Sequence, residues 1–211
     1  MPGPEWDDDV ASERAAENLR GLARSIPAES AQSRAMPTAS MARDWHQSML
    51  QGVRVPDEAY RGGFRGDAHP ALADYEATVG RVPVLRAASV GEEIRKFVTE
   101  FQNQVTWLDE VNALEDPSVL DPDFVMKVLE VAAWLHCEWV RIHPFVNGNG
   151  RTARMWILWL CARYGLPQLL AIRPRPDDTG YDSTTQLGTI GEHRLFLQFL
   201  LVRYNKVSDG S

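Results

Sequence analysis

Residues 143–154 read HPFVNGNGRTAR, and this segment combines the residue types in the chain that are best suited to chemistry. Gly148 and Gly150 can adopt backbone angles that other residues avoid, so a ligand can approach the main chain closely. The apolar stretch that follows predicts a helix, whose first N–H groups and positive dipole end attract anions. The pattern therefore predicts a phosphate-binding site.

Charged and titratable side chains accompany the predicted phosphate site. Arg151 and Arg154 are three residues apart, which places them on one face of the predicted helix, and planar guanidinium groups suit phosphate oxygens. His143 titrates near neutral pH and can accept a proton from a nucleophile. The side-chain carbonyl of Asn147 can ligate a magnesium ion that carries phosphates. Each feature alone is more often structural, but together they predict a phosphate site with a general base beside it.

The segment resembles the signature of the Fic/Doc (Fido) family, HPFx(D/E)GNGRxxR, at every fixed position except Asn147, where the family has Asp or Glu. The resemblance implies that His143 is the general base and that position 147 holds magnesium. It also implies a set of nucleotide-binding residues, of which the last reaches the terminal phosphate: Gly148, Asn149, Gly150, Arg151 and Arg154.

The departure at Asn147 affects the expected chemistry more than the expected fold. A neutral amide oxygen is a poorer ligand for a hard dication than a carboxylate, because it adds no net charge to the field of the ion. Two alternatives stay open. Either the ATP phosphates carry most of the metal binding and activity persists at a reduced level, or the site has changed towards another donor or towards nucleotide binding without turnover.

Sequence on both sides of the signature also resembles the family, over residues 43–204. The segment WHQSMLQGVRVPDEAYRGGFRGD is similar to the opening of the domain, which implies that His46 starts a helix and that residues 62–65 form a turn. The segment AAWLHCEWVRIHPF is similar to the helix that leads into the signature. The closing segment YDSTTQLGTIGEHRLFLQFL implies that Tyr181 lies near the base of the nucleotide.

The resemblance implies a protein adenylyltransferase that moves AMP from ATP, with Mg²⁺, to a Ser, Thr or Tyr hydroxyl of a target protein. His143 then removes the hydroxyl proton, the oxygen attacks the α-phosphorus and pyrophosphate leaves. Two other functions remain as alternatives: a catalytically weakened nucleotide-binding regulator, and a Fic-type transferase of another phosphate-containing group. A purely structural helical protein would leave the glycines and arginines of the signature without a purpose.

Composition indicates one ordinary globular domain. The chain has 211 residues, of which 44% are apolar and 24% charged, and its net charge of −7 argues against a nucleic-acid partner. Cys137 and Cys161 lie in apolar runs without metal-ligand spacing, so we expect buried free thiols. Neither a signal region nor a long apolar stretch is evident, so we expect a cytoplasmic protein without a membrane partner.

Helical periodicity dominates the elements that would position the signature. Apolar residues recur at spacings of three and four over 94–108 and 125–139, and residues 155–164 are apolar nearly all round. We therefore expect an all-α fold, a Fic-type helical bundle. Residues 79–90, with β-branched residues around a proline, predict a short β-hairpin flap, which in Fic proteins pairs with the target backbone. The alternative is an irregular surface loop.

We expect three regions: residues 1–42 as an N-terminal helix and connector, residues 43–204 as the Fic domain, and residues 205–211 as a C-terminal tail. Within the first region, apolar residues predict a helix over 10–26, and the Ser-, Ala- and Pro-rich stretch 27–42 predicts a connector.

The N-terminal helix resembles, in part, the inhibitory helix of many Fic proteins, which has the pattern (S/T)xxxE(G/N). Glu17 and Asn18 fit the last two positions, but Glu13 stands where the pattern has Ser or Thr. The match implies that Glu17 could pair with Arg154 and block the terminal phosphate. The alternatives are that the helix only packs in the bundle, and that a separate antitoxin chain inhibits the enzyme.

Overall fold

The computed structural model describes residues 13–79, 82–113, 121–176 and 179–208, and in this part of the chain the protein is almost entirely helical. The helices are α1 (Glu13–Ser33), α2 (Ala39–Met49), α3 (Pro70–Ala73), α4 (Ala87–Asn112), α5 (Pro122–Ile142), α6 (Asn149–Arg163), α7 (Thr179–Gly188) and α8 (His193–Ser208). A 3-10 turn spans Glu58–Tyr60. The expected all-α fold is confirmed.

Helices α5 and α6 form the centre of the bundle. Helix α6 packs between α1 and α5, while α4 and α8 pack on other faces of α5. Their sequences explain this position, because α6 is apolar nearly all round and buries most of its side chains. Asp121 starts α5 by accepting a hydrogen bond from the Phe124 amide at 2.9 Å, and Pro122 occupies its first turn.

Aromatic rings fill the space between α4, α5 and α6. Trp156 contacts Trp139 and Phe101 with ring centroids 5.9 and 5.5 Å apart, both in edge-on geometry, and Trp159 joins the same cluster. Truncating one such buried ring to alanine costs about 3–5 kcal/mol. This aromatic cluster therefore holds α5 and α6 firmly together on either side of the loop that joins them.

Helix α1 extends beyond its predicted end. Residues 10–12 of the prediction lie outside the described residues, and the helix runs through Pro27 to Ser33, into the predicted connector. Buried Ser30 donates to the Trp159 carbonyl at 2.7 Å. Packing of α1 on α6 therefore offsets the helical hydrogen bond that is lost because Pro27 has no N–H. The irregular link to α2 is thus only residues 34–38.

Two very short strands precede α4. Thr78–Val79 pairs in antiparallel fashion with Val82–Pro83, and residues 80–81 between them lie outside the described residues. The predicted hairpin segment 79–90 was too long at its C-terminal end, because α4 already begins at Ala87. The loop that replaces the hairpin there is short, so α4 directly follows the strands.

Two further expectations concern composition. Cys137 and Cys161 are buried free cysteines, as predicted, and burial raises the pKa of both thiols to about 12. Within the described ranges, no helix combines the length and apolar character that crossing a lipid bilayer requires.

Candidate active site

The signature loop joins the end of α5 to the start of α6, and both of its ends are left-handed. His143 caps α5 with φ 52° and ψ 56°, and Gly148 caps the N terminus of α6 with φ 83°. A non-glycine residue in this conformation is uncommon and needs support from its surroundings. The position of the imidazole therefore follows from the left-handed backbone at His143, where α5 ends.

Arg65 supplies that support. Its side chain is fully buried, and its Nε and Nη2 donate to the carbonyls of His143 at 2.7 Å and Ile142 at 3.1 Å. The last carbonyls of a helix lack intrahelical partners and carry the negative end of the dipole, so a cation is well placed there. The Arg65 amide also donates to the Pro144 carbonyl at 2.7 Å.

The same guanidinium reaches the hairpin. Arg65 Nη1 donates to the Tyr75 carbonyl at 3.1 Å and Nη2 to the Leu85 carbonyl at 2.9 Å. Tyr75 precedes the first strand and Leu85 follows the second. One buried side chain thus joins both ends of the hairpin to the backbone of His143.

His46 supports the middle of the loop. It lies in the last turn of α2, not at the start of a helix as the sequence suggested. The Gly62 amide donates to its Nδ1 at 3.1 Å, so Nε2 carries the proton and donates to the Asn147 carbonyl at 2.9 Å. Burial lowers the pKa of His46 to about 3, which keeps the ring neutral. The His46 ring stacks on the Phe145 ring, with ring centroids 3.8 Å apart.

Glycine is required at position 148 for two reasons. Its φ of 83° favours glycine, and a Cβ there would lie 2.7 Å from Met49 Cε and 3.1 Å from His46 Nε2. The close approach of α2 to the loop therefore depends on the missing side chain.

Asn149 closes the loop on itself. Its Oδ1 accepts from the Phe145 amide at 2.9 Å and its Nδ2 donates to the Phe145 carbonyl at 2.7 Å. The side chain is therefore a structural clamp, and only its backbone N–H remains for the phosphate role that the sequence predicted.

The start of α6 has the geometry of an anion site. The first hydrogen bond into the helix runs from the Thr152 amide to the Gly148 carbonyl at 3.0 Å, and the preceding N–H groups are those that a helix leaves without intrahelical partners. Arg151 lies half-buried beside them. The structure thus places Gly148, Asn149, Gly150 and Arg151 at the start of α6, and their phosphate-binding role stays a prediction.

Asn147 lies at the same loop, but its side-chain oxygen has another partner. Oδ1 accepts from Arg151 Nη2 at 3.1 Å and from the Gly148 amide. Across the described ranges, no group of three or more His, Cys, Asp or Glu side chains is arranged to hold a metal ion. One neutral amide oxygen facing a guanidinium does not fit a magnesium ion held by the protein itself.

Arg154 is buried, with 4% exposure. Its Nε and Nη2 donate to the Ile172 carbonyl at 3.3 and 2.8 Å, and its Nη1 donates to the Tyr181 hydroxyl at 2.7 Å. Tyr181 is itself only 2% exposed and bonds through its hydroxyl to His136 Nε2 at 3.0 Å. The structure therefore places the Tyr181 hydroxyl between Arg154 and His136, and the contact of Tyr181 with a nucleotide base stays a prediction.

His143 has the protonation state of a base. Burial lowers its pKa to about 4, a hydrogen bond to the Val140 carbonyl opposes this shift, and the charge of Arg65 adds to it. Nδ1 lies 3.3 Å from the Val140 carbonyl and donates to it. Nε2 is then the atom with the lone pair, which a general base requires.

The structure does not bring Glu17 to Arg154. The Glu17 carboxylate is 52% exposed and pairs with Arg14 at 3.4 Å on the same helix. The neighbouring Asn18 docks α1 by donating to the carbonyls of Met49 at 3.1 Å and Gln51 at 2.8 Å. In this arrangement α1 packs beside the site, and the Glu17 carboxylate pairs with Arg14 and not with Arg154.

Comparisons with solved structures support the fold. A fragment of Fic-1 from Caenorhabditis elegans with one glutamate-to-glycine substitution superposes with a TM-score of 0.62 at 20% identity, over 90% of this chain and 48% of that one. A Fic domain containing signaling protein from Bacteroides thetaiotaomicron superposes with a TM-score of 0.57 at 20% identity, over 93% of this chain and 67% of that one.

Comparisons of sequence agree with the structural likeness. The protein adenylyltransferase fic-1 of C. elegans is 30% identical over 135 residues, which are 64% of this chain and 24% of the relative. The protein adenylyltransferase Fic of Drosophila persimilis is 36% identical over 78 residues, 37% of this chain and 15% of the relative. The chain thus matches only about a quarter or less of the length of these relatives.

A model of the Fic/DOC family matches residues 37–161. This range is more than half of the chain, and it contains α2, the Arg65 turn, the hairpin and the whole signature loop. The chain therefore belongs to the Fic/DOC family.

Proposed function

We propose that this protein is a protein adenylyltransferase that transfers AMP from ATP to a Ser, Thr or Tyr hydroxyl of a target protein. The observation that carries the proposal is the position of His143. Its neutral imidazole stands at one end of a short loop, and the N–H groups and Arg151 at the other end form an anion site. A base beside a phosphate site suits phosphoryl-type transfer to a hydroxyl.

The proposed reaction uses groups of this chain for each task. His143 Nε2 accepts the proton of the target hydroxyl, and the oxygen attacks the α-phosphorus of ATP. The bond to the β-phosphate oxygen breaks, and pyrophosphate leaves. Arg151 and the first amides of α6 neutralise the charge that develops on the phosphates, so positioning and charge stabilisation supply the catalysis.

We propose that the ATP phosphates, and not the protein, carry the magnesium ion. Asn147 offers a neutral oxygen that Arg151 already engages at 3.1 Å, so the protein contributes little to such an ion. ATP is the co-substrate, and the steps above depend only on side chains and amides of the chain.

We propose that the hairpin at residues 78–83 is the flap that meets the target. Two features support this: strand edges pair with extended peptides, and Arg65 ties both ends of the hairpin to the carbonyl of His143. A target segment added to this hairpin would present its hydroxyl towards the imidazole.

We also propose that a separate antitoxin chain inhibits the protein. Inhibition by Glu17 would require its carboxylate to leave Arg14 and Arg154 to leave Tyr181 and Ile172. We place the reaction in the cytoplasm, where ATP is available and the buried thiols of Cys137 and Cys161 stay reduced.

Label transfer tests the proposed function. The protein is incubated with cell lysate and ATP labelled at either the α- or the γ-phosphate, and modified proteins are identified by mass spectrometry. We expect the α-label on a protein hydroxyl, and none with His143→Ala, which should still bind ATP because the imidazole holds no phosphate. Transfer of the γ-label would instead identify a phosphotransferase.

A nucleotide-binding regulator is the second candidate, and the bond between Asn147 and Arg151 favours it. That bond occupies the oxygen at the position where the family signature carries an acidic residue. ATP binding in calorimetry without transfer of either label would support the regulator over the enzyme.

A further inference from the structure

We propose that Tyr181 is a positioning residue that controls, through Arg154, how the terminal phosphate of the nucleotide is bound. The inference rests on the proposed function and on the role that the family signature implies for Arg154, the ligand of that phosphate. It gives Tyr181 a role distinct from contact with the nucleotide base.

Two segments outside the signature hold Arg154. The Ile172 carbonyl, in the segment after α6, accepts from Nε at 3.3 Å and Nη2 at 2.8 Å. The Tyr181 hydroxyl, on α7, accepts from Nη1 at 2.7 Å. A guanidinium fixed at all three nitrogens has one orientation, so its remaining N–H groups point in set directions.

The fixed guanidinium lies beside the predicted anion site. A Cβ added to Gly150 would lie 3.5 Å from Arg154 Nη1, so this nitrogen is next to the first turn of α6. Nη1 has two N–H groups and gives one to Tyr181. The second is the donor that a phosphate at the loop can meet.

Tyr181 is itself held in place. Its hydroxyl bonds to buried His136 at 3.0 Å, and its ring contacts Phe196 and Phe199 with centroids 6.0 and 5.9 Å apart. The hydroxyl cannot swing away without breaking a packed cluster. Because the guanidinium is ordered in advance, less side-chain entropy is lost when a phosphate binds.

The position of Arg154 predicts a selective effect. The first amides of α6 and Arg151 lie at the loop itself and would hold the phosphates that ATP and ADP share, whereas Arg154 would contact only the terminal phosphate of ATP. Loss of the Tyr181 hydroxyl should therefore weaken ATP binding and leave ADP binding unchanged. A purely structural hydroxyl would affect both nucleotides alike.

The test compares Tyr181→Phe with a matched control, Tyr164→Phe. Tyr164 is also a buried tyrosine, but its hydroxyl donates to Asp109 at 2.9 Å, away from the signature. Calorimetry with ATP and with ADP is run on both variants after thermal melts confirm that they fold. For Tyr181→Phe we expect ATP affinity to fall about three- to tenfold, the effect of one lost hydrogen bond, with ADP affinity unchanged. The control should change neither.

The Arg154→Gln variant distinguishes the positioning role of Tyr181 from the phosphate-binding role of Arg154. If Arg154→Gln lowers ATP affinity selectively and Tyr181→Phe does not, the positioning role is wrong and the phosphate role stands. If neither variant alters the ratio of ATP to ADP affinity, Arg154 is not the ligand of the terminal phosphate and both assignments fail. A rise in ATP affinity in Tyr181→Phe would also overturn the inference, because the hydroxyl would then be holding the guanidinium away from the phosphate.

Discussion

His143 is both the C-cap of α5 and the proposed base, and the two roles depend on each other. Its left-handed backbone turns the imidazole out of the line of α5, and its carbonyl is free to accept from Arg65 at 2.7 Å. The neighbouring charge of Arg65 also helps to keep the imidazole neutral. A carboxylate partner, common beside catalytic histidines, is replaced here by the Val140 carbonyl.

The pH dependence of transfer should reflect this environment. Burial lowers the pKa of His143 from its ordinary value of 6.5 to about 4. A base must be unprotonated, so activity is lost only when the pH falls through that lowered pKa. We expect kcat/KM for transfer to stay level from pH 8 to about pH 5 and to decline below it, measured where circular dichroism shows folded protein. A decline centred near 6.5 would mean that the imidazole is solvated.

Asn147→Asp should increase transfer when magnesium is limiting. A carboxylate adds a formal charge to the shell of an ion carried by ATP, whereas the present amide oxygen bonds to Arg151. The gain should shrink as magnesium reaches saturation. Label transfer is measured across a magnesium titration, with Asn147→Ala as the control that has no oxygen at this position. If the aspartate variant is no better at any concentration, position 147 is not a weakened metal ligand.

The residues that could be predicted from sequence are those inside the signature, because local spacing alone brings them together. The loop and the helix that follows it could be predicted from these twelve residues, while the anion site and the base stay predictions. The supports could not be predicted, because His46 lies 101 residues from Asn147 and Arg65 lies 78 residues from His143. The only signal for them was resemblance to the opening of the domain, which gave their positions but not their partners.

At the scale of elements, α1 is an integral part of the bundle. Ion pairs and hydrogen bonds fix the link that follows it: Arg34 donates to Asp109 at 3.0 Å and to the Arg163 carbonyl at 2.8 Å, and Arg163 pairs with Asp109 at 2.6 Å. The sequence predicted a connector here because Pro27 and a run of small polar residues usually end a helix. Residues 27–33 of that segment are helical, and the contact that favours the helix comes from far away in the chain, since buried Ser30 donates to the Trp159 carbonyl of α6.

Glu17→Gly tests whether α1 inhibits the site. Because the Glu17 carboxylate pairs with Arg14 and not with Arg154, we expect no rise in auto-modification. We expect a loss of stability of about 1 kcal/mol, the cost of glycine in a helix, seen in urea denaturation.

Glu17→Gln is the control for the charge, since it keeps the helix propensity of the position. Increased auto-modification in both variants would restore the inhibitory role. An increase in the glycine variant alone would point to loosening of α1, because only that variant weakens the helix.

The whole molecule carries three neutral histidines close to its signature loop. Burial lowers the pKa of His46 to about 3 and of His143 to about 4, and it holds the pKa of His136 well below 6.5. In the unfolded chain these rings bind protons near pH 6.5. The unfolded state therefore takes up more protons than the folded state below that pH, and stability falls on acidification.

Denaturation in urea at several pH values measures this effect. We expect the free energy of unfolding to be level above pH 7 and to fall steadily from about pH 6.5, with a slope that corresponds to up to three protons. His46→Asn should reduce the slope, because it removes one of the three rings. A free energy that stays level down to pH 5 would contradict the burial of neutral histidines at the site.

Arg65 has a consequence for how such a protein could be redesigned. Arg65 donates to the carbonyls of Tyr75 and Leu85. These two residues are therefore fixed anchors, and we call the sequence between them the cassette. With the hairpin in its proposed role as the flap that meets the target, sequences between those two anchors could be exchanged to recruit a different substrate without moving the imidazole. Insertions or deletions that displace either anchor would instead disturb catalysis towards every substrate. New targets are therefore best sought by exchanging the cassette at constant length between its anchors.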